Sequence, residues 1–183
     1  MIYKVTFLDY WHLSSGLSAG AKLDSSVTID KDSLPYIPGK TIKGLLREVA
    51  EYTNNYDFLT NCFGSSSEEK DKFYSEEKIV SECYFSDAQI EENTKNSILK
   101  NNLQNQLFDE IASTKIDDKG IAVSGSLREI EVVIPITLYG KIENIPTQYK
   151  QEMINCLKKI KRMGLNRNRG LGRCIIDVIG EDK

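Results

Sequence analysis

Residues 130–138 read IEVVIPITL and contain the longest alternation of apolar residues in the chain. A period of two is typical of a strand with one buried face. The residues with this period are Ile130, Val132, Ile134, Ile136 and Leu138. Pro135 interrupts the run, and proline has no N–H group to bond a neighbouring strand. The stretch therefore predicts a long strand that lies at a sheet edge or bulges at Pro135.

Shorter patterns on either side of this stretch complete a fold prediction. Apolar residues alternate over residues 3–7 and 174–178, and Tyr84-Phe85 centres a short strand candidate. A helix starting near Thr41 is predicted to bury Ile42, Leu45, Leu46 and Val49. A second helix after Pro146 is predicted to end at Gly164 and to bury Met153, Leu157 and Ile160. The order strand, helix, strand, strand, helix, strand predicts an α+β, ferredoxin-like fold, which RNA-recognition motifs share.

Composition bounds the class of protein. A chain of 183 residues with 40% hydrophobic content suits one domain over residues 1–183. No apolar run approaches the roughly 20 residues that span a bilayer, and no secretory signal precedes the first strand, so we expect a cytoplasmic protein without a membrane partner. The four cysteines are scattered, and His12 is the single histidine, which argues against zinc and predicts reduced, mostly buried thiols.

The run GLNRNRGLGR, residues 164–173, predicts a loop that binds a polyanion. Seven basic and no acidic residues lie between Lys158 and Arg173, in a chain of net charge −3. Glycine lets backbone N–H groups approach phosphate oxygens, and arginine supplies charge and forked donors. The predicted RNA-binding residues of this loop are Arg167, Arg169, Arg173, Gly170 and Gly172. Lys40, Lys43 and Arg47 share one face of the first predicted helix and extend the prediction; the alternative is a solvated, flexible hairpin.

Three further segments exceed what a ferredoxin-like fold needs. Ser65–Glu92 carries nine acidic and three basic residues and predicts a solvated surface segment. Lys95–Ile111 is polar with apolar punctuation and predicts a short surface helix. Thr114–Val123 has Asp118-Lys119-Gly120 near a turn and predicts a hairpin that projects as an arm.

Several motifs favour structural over catalytic interpretations. Gly39-Lys40-Thr41 resembles the end of a phosphate-binding loop, but Leu34 stands where the earlier glycine is required. A lone histidine such as His12 more often makes a structural hydrogen bond than serves as a general base. Asp30 and Asp32 are predicted to form turns.

Four blocks together resemble the RAMP superfamily of CRISPR-associated proteins, in particular the repeated backbone subunit of type III effector complexes. They are LDSSVTIDKDSLPYIPGKTIKGLLRE at 23–48, NCFG at 61–64, TKIDDKGIAVSGSLREIEVV at 114–133, and GLNRNRGLGR. The resemblance implies a ferredoxin-like palm with an inserted thumb hairpin, about 112–130, that wedges between guide–target base pairs. Its apolar tip would be Ile116, Ile121 or Val123. The implied partners are CRISPR RNA, target RNA, copies of the chain itself and other effector subunits.

The same resemblance implies that Asp24, in the loop after the first strand, cleaves target RNA. One carboxylate per site can suffice, because an RNA 2′-hydroxyl attacks its own phosphate once the backbone is held in line. Asp24 would then also hold Mg²⁺ or another divalent cation. Two alternatives stay open: a binding-only subunit, and a CRISPR RNA-processing endonuclease with His12 as general base or acid. The lack of another histidine and the presence of the thumb block count against the processing endonuclease.

Overall fold

The computed structural model describes residues 1–16, 25–65 and 80–180. Asp24 and residues 66–79 of the acidic segment lie outside these ranges. The elements, in chain order, are β1 (Ile2–Phe7), α1 (Gly39–Glu51), α2 (Tyr56–Phe63), β2 (Tyr84–Phe85), α3 (Glu92–Lys100), β3 (Phe108–Ser113), β4 (Arg128–Val133), β5 (Thr137–Glu143), α4 (Lys150–Lys159) and β6 (Cys174–Gly180). Short 3₁₀ turns cover Gln104–Leu107 and Thr147–Tyr149.

Four antiparallel strands form the palm sheet, in the order β2-β5-β1-β6. Alternate residues of its strands are buried, as the period of two predicts, for example Tyr3, Val5 and Phe7 in β1. The buried residues of α1 and α4 join them in one core; Ile42, Leu46, Met153 and Leu157 are fully buried. This strand order and the two crossing helices are the ferredoxin-like arrangement, so the predicted fold class is confirmed.

The alternation at 130–138 is two strands rather than one. β4 pairs with β3 in a separate two-stranded sheet, whereas β5 is an inner strand of the palm sheet. The chain bends at Pro135, whose missing N–H group prevents a continuous ladder. The predicted edge or bulge is therefore a change of sheet.

Three other predictions need correction. Lys95–Ile111 is not one helical segment, because α3 ends at Lys100 and the chain enters β3 at Phe108. The acidic segment is not solvated throughout, since Cys83, Phe85, Ala88 and Ile90 are buried. α4 ends at Lys159, where the backbone turns extended, so Gly164 does not cap it. Gly164 has φ +92°, and a Cβ there would collide with the carbonyl oxygen of His12.

All four cysteines are buried free thiols, as predicted. Within the described ranges, no helix is both long and apolar enough to cross a bilayer.

Candidate nucleic-acid interface

A groove of about 850 Å³ opens between the start of α1, the segment 26–29 and the base of the β3–β4 hairpin. Lys40 supplies a cation and Glu131 a carboxylate to its lining. Most other polar lining groups are hydroxyls, from Ser14, Ser15, Ser26, Thr28, Ser33, Tyr36 and Thr41. Hydroxyls and an exposed cation suit a ligand with many oxygen acceptors, such as a sugar–phosphate backbone.

Backbone pairing fixes the wall of this groove. Residues 13–15 run against residues 26–28, with Thr28 N–H donating to Leu13 at 2.8 Å and Ser15 N–H donating to Ser26 at 3.0 Å. The Glu131 carboxylate accepts from Val27 N–H at 2.9 Å. The wall is therefore tied to β4.

His12 lies at the centre of a buried polar network. It is 0% exposed, and its Nδ1 donates to the carbonyl oxygen of Glu131 at 2.5 Å. Its Nε2 lies 3.0 Å from the hydroxyl of Ser25. Both ring nitrogens therefore have partners, and the ring is enclosed. Through them His12 connects Ser25, the residue after Asp24, to Glu131 at the base of the hairpin. The predicted structural hydrogen bonding of His12 is confirmed.

The other loop aspartates are also structural. One Asp30 carboxylate oxygen accepts from Asp32 N–H at 2.8 Å and from Leu34 N–H at 2.9 Å, which is a turn-forming geometry. Lys95 of α3 pairs with both carboxylates, and its hydrogen bond lowers the pKa of Asp32. Asp24 itself lies outside the described residues, so its catalytic and metal-binding roles stay predictions. In the ranges that are described, no three metal-binding side chains cluster.

The three cations predicted on α1 have different environments. Lys40 is exposed and lines the groove. The Lys43 ammonium lies 5.9 Å from the centre of the Phe85 ring, and burial lowers the pKa of that amine. Arg47 donates to the carbonyl oxygen of Gly64 at 2.7 Å and pairs with Glu51. Lys43 and Arg47 therefore hold α1 against its neighbours, and Lys40 is the one of the three that opens onto the groove.

The Gly-Arg hairpin, residues 162–173, packs against residues 8–12 instead of forming a free loop. Leu165 N–H donates to His12 and Gly172 N–H donates to Tyr10, both at 2.8 Å. The N–H group of Gly172 is thus already bonded within the protein, whereas the sequence predicted that it would contact a phosphate. Asn166 and Gly170 adopt left-handed backbone conformations that form the turn at the tip of this hairpin. Gly170 is exposed there.

Two of the predicted arginines in this hairpin are paired with carboxylates distant in sequence. Arg173 binds Asp9 through two nitrogens, at 3.0 and 3.3 Å, and Arg167 lies 3.5 Å from Glu48 of α1. Arg169 is exposed. The sequence count of basic residues included four more exposed cations that were not singled out as binding residues: Lys158, Lys159, Lys161 and Arg162. Only the fold shows which cations have partners.

The arm, residues 108–133, is a hairpin longer than the predicted thumb boundaries. β3 pairs with β4 from Phe108–Val133 to Ser113–Arg128. Beyond this ladder the Asp117 carboxylate accepts from Lys119 N–H at 2.9 Å and Ile121 N–H at 2.8 Å, and Gly120 adopts φ +79°. Four apolar side chains project from this end into solvent: Ile116, Ile121, Val123 and Leu127, of which Leu127 was not predicted.

The chain resembles known proteins in both sequence and structure. The family model of the RAMP superfamily matches residues 4–175. A chain in the cryo-EM structure of the type III-B Cmr-beta complex bound to cognate target RNA superposes with a TM-score of 0.71 at 12% identity, covering 96% of this chain and 95% of that one. A chain of the apo state of Cmr-beta gives 0.69 at 13% identity, with the same coverage. No curated protein sequence gives a significant match. At these identities the superpositions establish the fold.

Proposed function

Because the chain belongs to the RAMP superfamily, whose model spans residues 4–175, we propose that it is a backbone subunit of a type III CRISPR effector complex. In this proposal it binds CRISPR RNA, packs against copies of itself and other effector subunits, and cleaves complementary target RNA through Asp24. The observation that carries it is the end-to-end superposition on Cmr-beta chains, one of them in a complex with target RNA. The polar groove and the projecting arm on this palm are consistent with such a role.

Guide binding is assigned to the groove at the start of α1. Lys40 supplies charge there, and the surrounding hydroxyl groups supply donors to phosphate and ribose oxygens. Such contacts hold a backbone without reading its bases, which is what a subunit that accepts any guide requires. The exposed apolar end of the arm is assigned to the guide–target duplex, where Ile116 or Ile121 would separate stacked bases.

Cleavage is assigned to Asp24, which immediately precedes the anchored Ser25. The protein's task is to hold a target nucleotide so that its 2′-hydroxyl faces the adjacent phosphate in line. A carboxylate beside that phosphate assists proton transfer, and a divalent ion, when bound, would stabilise the developing charge. The enclosure of His12, with both ring nitrogens hydrogen-bonded, supports this proposal over the RNA-processing alternative, in which His12 would act as general base or acid.

The test is Asp24→Ala in a guide-loaded complex with labelled target RNA. We expect the cleavage rate to fall by roughly 10²-fold or more, the range for loss of a general acid or base, with target affinity nearly unchanged. An EDTA arm tests the metal requirement. Asp32→Ala is the matched control, since Asp32 is a loop carboxylate paired with Lys95. Cleavage by Asp24→Ala at the parental rate would refute the assignment and leave the binding-only subunit.

A further inference from the structure

We propose that Cys62 and Cys83 form an oxidation site, at which hydrogen peroxide converts the two thiols into a reversible disulfide. Cys62 lies in the last turn of α2, and Cys83 immediately precedes β2. Both are free thiols buried in the common core. The site concerns the chain itself and does not depend on whether the chain binds or cleaves RNA.

The backbone holds the two cysteines side by side. The N–H group of Glu82 donates to the carbonyl oxygen of Asn61 at 2.8 Å, so each cysteine is one residue away from a direct backbone hydrogen bond. The hydroxyl of Ser81 lies 2.6 Å from the carbonyl oxygen of Cys62 and 2.9 Å from that of Cys83. A hydrogen bond also joins the two thiols. Two cysteines must approach each other in this way before a disulfide can form without backbone movement.

Side-chain contacts fix the same two segments independently. The rings of Phe63 and Phe85 stack with their centroids 5.6 Å apart and their planes at 24°. Phe63 follows Cys62 directly, and Phe85 is two residues beyond Cys83. The Cys83 sulfur has a further, longer contact of 3.8 Å with the carbonyl oxygen of Asn144. The end of α2 and the start of β2 therefore keep the thiols within reach of each other.

The environment of the pair favours Cys83 as the thiol that reacts first. Its hydrogen bond with Cys62 lowers the pKa of the Cys83 thiol, and the positive charge of Lys43 adds to that effect. By contrast, burial raises the pKa of Cys156 and raises that of Cys174 to about 11. Because the thiolate is the nucleophile, we expect these other two cysteines to react slowly.

The oxidation has two steps. The Cys83 thiolate attacks one oxygen of hydrogen peroxide and the O–O bond breaks, which gives a sulfenic acid and a hydroxide that takes up the proton Cys83 had released. The Cys62 sulfur then attacks the sulfenic sulfur, and the Cys62 proton leaves with the displaced hydroxyl as water. Two thiols and one peroxide thus give one disulfide and two waters. A small oxidant is required, because Cys62 is 0% and Cys83 6% exposed.

The disulfide would join the two elements that flank α1. At its start, α1 approaches β2 so closely that a Cβ at Gly39 would collide with the carbonyl oxygen of Phe85. Further along, Arg47 of α1 donates to the carbonyl oxygen of Gly64, the residue that ends α2. Lys40 of the same helix lines the groove. Oxidation therefore stabilises the part of the molecule that carries the groove.

The experiment oxidises the reduced full chain with graded hydrogen peroxide, blocks the remaining thiols with N-ethylmaleimide in urea, and maps the tryptic peptides by mass spectrometry. Trypsin cleaves between the two cysteines, so the disulfide links peptide 48–70 to peptide 79–95. The test variant is Cys62→Ser. The matched control is Cys156→Ser, which removes a buried thiol outside the pair.

We expect the linked peptides from the parent and from Cys156→Ser, their absence from Cys62→Ser, and their separation by dithiothreitol. In Cys62→Ser the sulfenic-acid probe dimedone should label Cys83. The melting temperature of the oxidised parent should rise by about 6–12 °C, the shift for cross-linking a loop of this length.

The inference would be overturned if peroxide left both thiols free in the parent, or if Cys156 and Cys174 were oxidised as fast as Cys83. A disulfide between two chains would overturn it as well. The parental peptide map identifies the bond by itself, so the test holds even if Cys62→Ser fails to fold. No RNA enters the experiment, and its failure would leave the proposed function standing.

Discussion

The absence of a Cβ atom has opposite consequences at two glycines of α1. At one of them it lets the helix approach the palm sheet closely. Gly39 is buried, and a Cβ there would collide with the carbonyl oxygen of Phe85 in β2. A Cβ added at Gly44 would lie in open space. The same residue type therefore serves a close approach at one position and only weakens the helix at the other.

We predict that Gly39→Ala lowers the free energy of unfolding by about 1–3 kcal/mol, because α1 or β2 must shift to relieve the overlap. Gly44→Ala should raise it by about 0.5–1 kcal/mol, because alanine loses less backbone entropy in a helix. Urea denaturation of the two variants checks both signs. A stabilised Gly39→Ala variant would mean that the helix start is not packed as described.

His12→Ala should destabilise the fold more than it affects RNA cleavage. The substitution leaves the Glu131 carbonyl and the Ser25 hydroxyl without their buried partner, at a cost of roughly 1–3 kcal/mol. Thermal melting measures this loss, and target cleavage is assayed below the melting temperature. A cleavage defect as large as that of Asp24→Ala would instead assign His12 a direct chemical role.

Sequence alone could identify individual cations but not their partners. Arg167 and Arg173 were predicted to bind RNA, and their carboxylate partners, Glu48 and Asp9, lie more than a hundred residues away in the chain. Only the folded sheet brings these pairs together. Asp24, by contrast, was indicated by its motif, and its role still awaits the cleavage assay.

At the level of elements, periodicity predicted the palm better than the arm. β1 and β6 each have one buried face, which produces a clear alternation in the sequence. β3 was missed because most of its residues are exposed on both faces, and Phe108 and Ile111 are spaced as in a helix. A strand without a buried face leaves no period of two.

Replacing residues 114–126 with a short Gly-Ser turn should leave the palm folded. The tip contributes exposed side chains such as Ile116 and Ile121, and the β3–β4 ladder below it keeps its own hydrogen bonds. We expect a melting temperature close to that of the parent and target cleavage that has lost its regular spacing. Gel analysis of the cleavage products measures that spacing. An unchanged pattern of product lengths would show that the wedge lies elsewhere.

For the whole molecule, the order of elements predicted the ferredoxin-like topology, whereas the path of the chain between the two sheets did not follow from any pattern. β4 at the base of the arm and β5 inside the palm sheet are separated only by residues 134–136. Two hydrogen bonds fasten this connection, from Ile134 N–H to Leu107 and from Phe7 N–H to Ile136, both at 3.0 Å.

The short connection at Pro135 joins the arm directly to an inner strand of the palm sheet. A displacement of the arm would reach the palm through residues 134–136, which lead into β5, and through the pairing of Val133 with Trp11. Engagement of the tip by a nucleic-acid duplex should therefore slow amide hydrogen exchange in Thr137–Glu143, which lies outside the arm. Hydrogen–deuterium exchange of the guide-loaded complex, with and without target, measures this mechanical transmission. Equal exchange in β5 in both states would show that binding at the tip leaves the palm sheet unaffected.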